Sequence, residues 1–146
     1  MNADAAPTTP HEMPRRKLQQ LTERQLEIMD AIWRLGAVTV ADVHRELRGT
    51  RPARKTVATI LTRLEEQGVI AHRIQGREFV YSARVTREQV ARAKLKSMLD
   101  YVLGGSTPSL IRYALEAEEV APGDIETVEG LLRKYRADSG DEPGRR

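Results

Sequence analysis

Apolar residues recur at helical spacing through most of the chain, and the pattern breaks at glycines and prolines. In "LTERQLEIMDAIWRLG", Leu26, Met29 and Trp33 share one face, while Ile28, Ile32 and Leu35 share another. The pattern predicts a helix buried on two sides, with Trp33 in the core. Thr22 and Gln25 open it as a capping box, and Gly36 closes it. "TVADVHRELRG" predicts a second, short helix, capped by Thr39, stopped by Gly49 and carrying Val40, Val43 and Leu47. A third runs from about Arg54 to Gln67, with Val57, Ile60, Leu61 and Leu64 as its apolar stripe. The period then changes. "VIAHRIQ" and "REFVYSA" alternate around Gly76, the signature of a β-hairpin. Three helices and then a hairpin is the order of a winged helix-turn-helix.

A second capping box, Thr86 with Gln89, opens a long helix to about Leu103, whose stripe is Ala91, Leu95, Met98, Leu99 and Val102. Gly104 and Gly105 break it. Thr107 as N-cap and Pro108 at the first helical position restart a helix carrying Leu110, Ile111, Ala114 and Leu115. Pro122 and Asp124 begin the last, with Ile125, Val128, Leu131, Leu132 and Tyr135. Three short amphipathic helices hold too little mass to close a core alone. Either they fold back on the N-terminal domain or they pair with a second copy, and pairing is expected, through Ala91, Leu95, Met98, Leu99, Val102, Leu110, Ile111, Leu115, Val128, Leu131 and Leu132. The expected fold class is mainly α with a small β-hairpin wing. It divides into a flexible Pro- and Thr-rich arm (1–17), a winged helix-turn-helix domain (18–85), a helical dimerisation region (86–137) and a polar tail (138–146).

Composition narrows the function. Aromatics make up 4% of the chain, so its core must come mainly from Leu, Ile, Val and Ala. The net charge of +3 decides nothing by itself, but its distribution does. Residues 1–84 hold 14 Lys and Arg against 10 Asp and Glu, whereas residues 85–146 hold 10 against 11. From Arg48 to Arg63 there are five basic residues and no acidic one, a patch suited to a polyanion. Having no cysteines, the chain is without disulfides, thiol catalysis and thiolate metal sites. No apolar run approaches the ~20 residues that span a bilayer, and residues 1–17 lack a signal-peptide core, so the cytoplasm is the default expectation. His11, His44 and His72 are scattered without metal-ligand spacing. "GGSTP" (104–108) lacks the ending of a phosphate loop and marks a helix break. No nucleophile elbow or carboxylate pair points to catalysis. The expectation is a non-enzyme without metal or cofactor.

The third helix carries the chemistry. A helix entering the major groove leads with its N-terminal half, where positive charge and short hydroxyls are wanted. Arg54 and Lys55 stand at its front, Thr56, Thr59 and Thr62 follow, and Arg63 lies further along; Glu65 and Glu66 come only at the trailing end. Lys55 suits a phosphate or guanine O6/N7, Thr59 a thymine methyl or base edge, and Thr56 and Thr62 phosphate oxygens. Arg73, Gln75 and Arg77 near the hairpin tip suit a phosphate chain or the minor groove. Phe79 and Tyr81 read as packing residues rather than base-stacking platforms, which argues against single-stranded RNA.

With these residues in place, the chain resembles the BlaI/MecI/CopY repressors, a family of winged-helix dimers. The likeness covers about residues 20–136. It is carried by "LTERQLEIMDAIWRLGAVTVADVHREL", "KTVATILTRLEEQGVI", the "R…FVYSA" wing and "LGGSTPSLIRYALE". The resemblance implies recognition contacts from Lys55, Thr56, Thr59 and Arg63, and some members carry an arginine at the position of Ala58. It implies an inverted-repeat, double-stranded DNA operator bound by a homodimer. It also implies, for many members, a membrane sensor metalloprotease that cuts the C-terminal region. Some members are cut between Asn and Phe in a segment matching "SLIRYALEAEEV", where this chain has Tyr113 and Ala114. The copper-sensing branch uses a C-terminal cysteine cluster that this chain lacks. The expected function is a sequence-specific repressor on a pseudo-palindromic operator, inactivated by cleaving or loosening its dimerisation helices. The alternatives are a one-component regulator sensing a small ligand and a winged helix serving only protein interaction.

Overall fold

The computed structural model describes residues 15–117 and 119–140. The expected arm up to residue 14, with His11, and the tail from 141 lie outside them. The chain forms two compact units, divided after Asp100.

The first unit begins with α1 (Arg15–Gln19), a single helical turn that buries Leu18. Arg15 to Lys17 are thus helical, where the sequence pattern had placed the end of the arm. Leu18 and Leu21 enter the core, and those two leucines are what holds the segment down. α2 (Glu23–Leu35) has the expected Thr22–Gln25 capping box, and the Gly36 N–H closes it on the Ile32 carbonyl at 2.8 Å. α3 (Val40–Glu46) opens with a capping box of its own, Thr39 with Asp42, and stops at Leu47 rather than Gly49. α4 (Arg54–Glu66) buries Val57, Leu61 and Leu64.

Strands β2 (Ile70–Gln75) and β3 (Glu78–Ala83) pair antiparallel in the register Gln75↔Glu78 to Ile70↔Ala83. Gly76 has φ +66° and Arg77 a negative φ, the pattern of a type II′ hairpin turn. A two-residue strand, β1 (Ala37–Val38), pairs with Ser82 and Tyr81 and completes a three-stranded sheet ordered β1-β3-β2. Two residues carry no alternation, so hydrophobic pattern alone does not reveal β1. The core gathers Ile28, Met29 and Ile32 of α2, Val43 of α3 with Leu47, the α4 stripe, Val69, Ile70 and Tyr81. Trp33 is only partly buried, at the edge of this core.

α5 (Arg87–Tyr101) starts with the expected Thr86–Gln89 box and ends two residues earlier than the stripe suggested. Its first half belongs to the winged helix, because Val90 and Ala93 are buried in the same core. The first compact unit accordingly runs on to Asp100. At 100° per residue, Val90 and Ala93 lie on a different side from Ala91, Leu95, Met98 and Val102. Leu95, Met98 and Ala91 are exposed and Leu99 is half-buried.

The second unit holds α6 (Thr107–Ala117) and α7 (Pro122–Ser139). Ser106, not Thr107, caps α6: its hydroxyl oxygen accepts the Ser109 N–H at 3.2 Å. Pro122 takes the first position of α7, and the Asp124 carboxylate accepts the Ala121 N–H at 3.3 Å. The helix runs to Ser139, into the stretch expected as tail. Among the described residues of α6 and α7, none is buried.

Leu61 has no exposed surface and sits at the centre of the α4 stripe. Replacing it with alanine should cost about 3 kcal/mol of stability through lost burial and a residual cavity. Urea unfolding of the variant beside the parent checks this; a loss under ~1 kcal/mol would mean the stripe is not the core's centre.

Candidate nucleic-acid interface

α4 has one side inside the core and the opposite side bare. Against the buried Val57, Leu61 and Leu64, helical geometry turns Lys55, Thr59 and Thr62 directly outward, with Thr56 and Arg63 beside them. Arg54, Lys55, Thr56, Thr59, Thr62 and Arg63 are all exposed. Among the described residues none of these cations forms an ion pair, while the acids Glu65 and Glu66 trail behind. The Thr59 hydroxyl donates to the Lys55 carbonyl at 3.0 Å, and the Thr62 hydroxyl to the Ala58 carbonyl at 3.0 Å. That fixes both rotors. Each threonine offers its surroundings a methyl group and oxygen lone pairs, with the hydroxyl proton already committed.

The front of α4 differs from those of α2, α3 and α5. α2, α3 and α5 begin with threonine capping boxes, but Ala53 precedes α4 and makes no side-chain cap. No acid lies in its first turn. The first N–H groups and the positive end of the helix dipole are left facing outward beside Arg54 and Lys55, which favours an anion there.

The turn that delivers α4 is held by side-chain donors on its carbonyls. Arg24 donates to the Thr50 carbonyl at 3.3 Å. Arg51 donates to the carbonyls of Leu47 at 3.1 Å and Arg45 at 3.3 Å. His44 Nε2 lies 3.1 Å from the Pro52 carbonyl, and since a carbonyl only accepts, Nε2 carries the proton. Pattern reading placed Arg51 in the basic patch and treated His44 as an ordinary histidine. Arg24 joins them on the turn from 26 residues away in sequence, a contact that no local motif announces.

The wing is less uniform. The pleat puts Ile70, His72 and Ile74 on one face with Phe79, Tyr81 and Ala83, and Arg73 and Gln75 on the other. The His72 Nδ1–H donates to the Glu65 carboxylate of α4 at 2.6 Å, so the His72 face is the one turned to the helix. Arg73 therefore points away from the α4 side, 3.5 Å from Gln75 Oε1, and is not brought beside the helix residues. Arg77 occupies the turn. Tyr81 packs in the core; burial, and then the Glu65 charge, raise its hydroxyl above the usual value. Phe79 is half exposed and stacks on His72 with centroids 4.1 Å apart.

On the flank, Trp33 Nε1 donates to the Val85 carbonyl at 2.9 Å, and Arg87 lies over the indole ring while pairing with Asp30 at 2.7 Å. The hydrogen bonds from Arg87 and then Arg34 hold the Asp30 carboxyl below the usual range. Asp42 is likewise held down, first by the Thr39 backbone N–H that it caps. An open hollow of about 500 Å³ is bordered by Glu27, Asp30, Arg34, Glu46, Leu47 and Arg48. Asp30 and Glu46 already pair with Arg34, so its charged lining is largely satisfied from within. Among the described residues no cluster of three His, Asp or Glu side chains could hold a metal ion, and no helix is long and apolar enough to cross a membrane.

Three helices, a wing and an acid-free cationic helix front define the winged helix-turn-helix class. Residues 21–134 match the family described as penicillinase repressor, and the chain belongs to that family. It is 27% identical over 122 residues to the penicillinase repressor of Bacillus licheniformis, covering 83% of this chain and 95% of that protein. It is 24% identical over 119 residues to the methicillin resistance regulatory protein MecI of Mammaliicoccus sciuri, covering 81% of this chain and 97% of the relative. A solution structure of the DNA-binding domain of the repressor BlaI is 32% identical, with a TM-score of 0.44, over 49% of this chain and 89% of that one.

If Lys55 meets a phosphate, Lys55→Met should weaken binding to every duplex and lower the slope of log affinity against log salt by about 0.9. Titrations of parent and variant at four salt concentrations decide it. An unchanged slope would remove Lys55 from the phosphate contacts.

Proposed function

We propose that this DNA-binding transcriptional repressor acts as a homodimer on a pseudo-palindromic operator, reading each half-site with the outward side of α4. The observation that carries the reading is the uncapped, acid-free front of α4, where Arg54, Lys55, Thr56 and Thr59 stand exposed without internal ion pairs. Arg63 and Thr62 continue the same side toward the phosphate chain. Arg77 at the wing tip adds a backbone contact, and Arg73 one from the far face of the wing.

The dimer is supported by what the single chain leaves uncovered. Leu95, Met98 and Val102, then Ile111 and Leu115, then Val128, Leu131 and Leu132 are exposed. With Ala91, Leu99 and Leu110 they form the proposed seam, and two linked half-sites bind far more tightly than one. Release follows from cutting or loosening these helices, by a membrane sensor metalloprotease or an equivalent signal. Tyr113 and Ala114 are exposed but lie inside α6, and nicking favours open loops over helices. Cleavage at that pair requires its turn of helix to open first.

The first test is equilibrium binding to the protein's own promoter beside a scrambled duplex, at two salt concentrations. A preference of about a thousandfold with a steep salt slope is expected. Equal affinity for both duplexes would overturn sequence-specific repression. For the seam, Leu95→Asp combined with Leu99→Asp should give a monomer with operator affinity reduced at least about a hundredfold. A double variant that light scattering finds still dimeric would sink the α5 part of the seam.

A further inference from the structure

α5 leaves the winged helix as a fastened arm, and its fastenings come about one per helical turn. At the start, Arg87 pairs with Asp30 at 2.7 Å and covers the Trp33 ring, while Trp33 Nε1 holds the Val85 carbonyl just before the helix. One turn on, Val90 and Ala93 are 3% exposed in the core. Next comes Lys94, whose Nζ donates to the Gln19 carbonyl at 3.2 Å and the Leu21 carbonyl at 2.9 Å. The Gln19 carbonyl ends α1 and the Leu21 carbonyl lies in the link to α2, so one ammonium satisfies an acceptor that the short helix leaves open and another just beyond it. Beyond Lys94 the same helix runs on to Tyr101, with Leu95 and Met98 exposed.

We propose that Lys94 is a positioning residue that sets the half-site spacing of the operator, being the last of these fastenings along α5. This rests on the homodimer reading above. Of the seam residues, Ala91 lies three positions before the lock, and Leu95 and Met98 follow it within the same unbroken helix. The direction in which the seam leaves the DNA-reading unit is thereby fixed relative to α4. Inserting one base pair moves one half-site by about 3.4 Å along the duplex axis and turns it by about 35°. An arm fastened through Lys94 cannot follow that displacement; an arm released there bends at the third turn and follows it.

The experiment uses the full-length chain and duplexes built from a half-site selected by the parent protein out of a random pool. The half-site is presented singly, and as inverted repeats whose spacer varies in single base-pair steps. The parent should lose about tenfold or more in affinity per step away from the best spacer, an effect of the size of one mismatched pair. Lys94→Met should bind the single half-site like the parent yet lose less than about threefold per step, its optimum blurred rather than moved. Lys94→Arg, whose guanidinium can still donate to both carbonyls, should restore the steep profile. Arg87→Met, which frees the opposite end of the arm, should flatten the profile as well and provides a second readout should Lys94→Met fold poorly. A Lys94→Met profile as steep as the parent's would overturn the assignment of Lys94 while leaving the operator reading intact. A flat profile for the parent itself would overturn the homodimeric operator reading, and this inference with it.

Discussion

Burial of Val57, Leu61 and Leu64 is the constraint on which the rest of the molecule turns. A helix has only one way to put three such residues fully into a core, and that choice decides what its other side shows. Each buried aliphatic side chain contributes roughly 1.5–3 kcal/mol. Rotating α4 by even one residue would exchange a buried leucine for a charged or hydroxyl side chain. The core thus holds Lys55, Thr59 and Thr62 outward without any contact to them. The outward surface of α4 is specified from behind.

Orientation about the helix axis is not enough; the front of α4 must also be delivered to one place. Here the chain uses hydrogen bonds instead of apolar burial. Arg24, His44 and Arg51 donate to three carbonyls of the segment between α3 and α4, and Arg51 to a fourth at the end of α3. A turn between two helices carries several orphan acceptors, and giving each a cationic or imidazole donor restrains the loop where Thr50 and Arg51 are exposed to solvent. The same donors keep positive charge close to the helix front. Stiffening the turn and attracting a polyanion come from the same side chains.

The sequence makes legible whatever is local. Thr22 with Gln25 and Thr86 with Gln89 form the boxes that their spacing announces, and the hairpin turns at Gly76 as its alternation requires. The Thr39–Asp42 box departs from the usual Glu or Gln at the third position, yet the shorter aspartate reaches back equally well. At α6 the threonine before a proline looked like the cap, yet the serine one residue earlier has the geometry. Non-local features were harder. β1 has two residues and exists only through its pairing with Ser82 and Tyr81. Val90 and Ala93 were masked by the stronger stripe of Ala91, Leu95 and Met98 on a different side of the same helix. The exposed front of α4 was legible from charge order alone, whereas the turning away of Arg73 from the α4 side follows from the wing's pleat against Glu65.

α5 joins the two halves of the problem because it is amphipathic in two directions. One side is buried in the core of the first unit through Val90 and Ala93, and the other carries the exposed apolar residues Leu95 and Met98. Splitting these tasks between two elements would place a linker between them, and a linker transmits neither direction nor distance well. A single helix of about 20 Å transmits both, so long as its first turns cannot move. Keeping them in place falls to modest contacts: one exposed ion pair, two small apolar side chains and an ammonium on two carbonyls. None of these is strong alone, and the exposed pair contributes little to stability by itself. Distributed along three turns, however, they resist bending at every point where the arm would pivot. The arrangement makes the end of α1, the core and the open face of α5 mechanically one body.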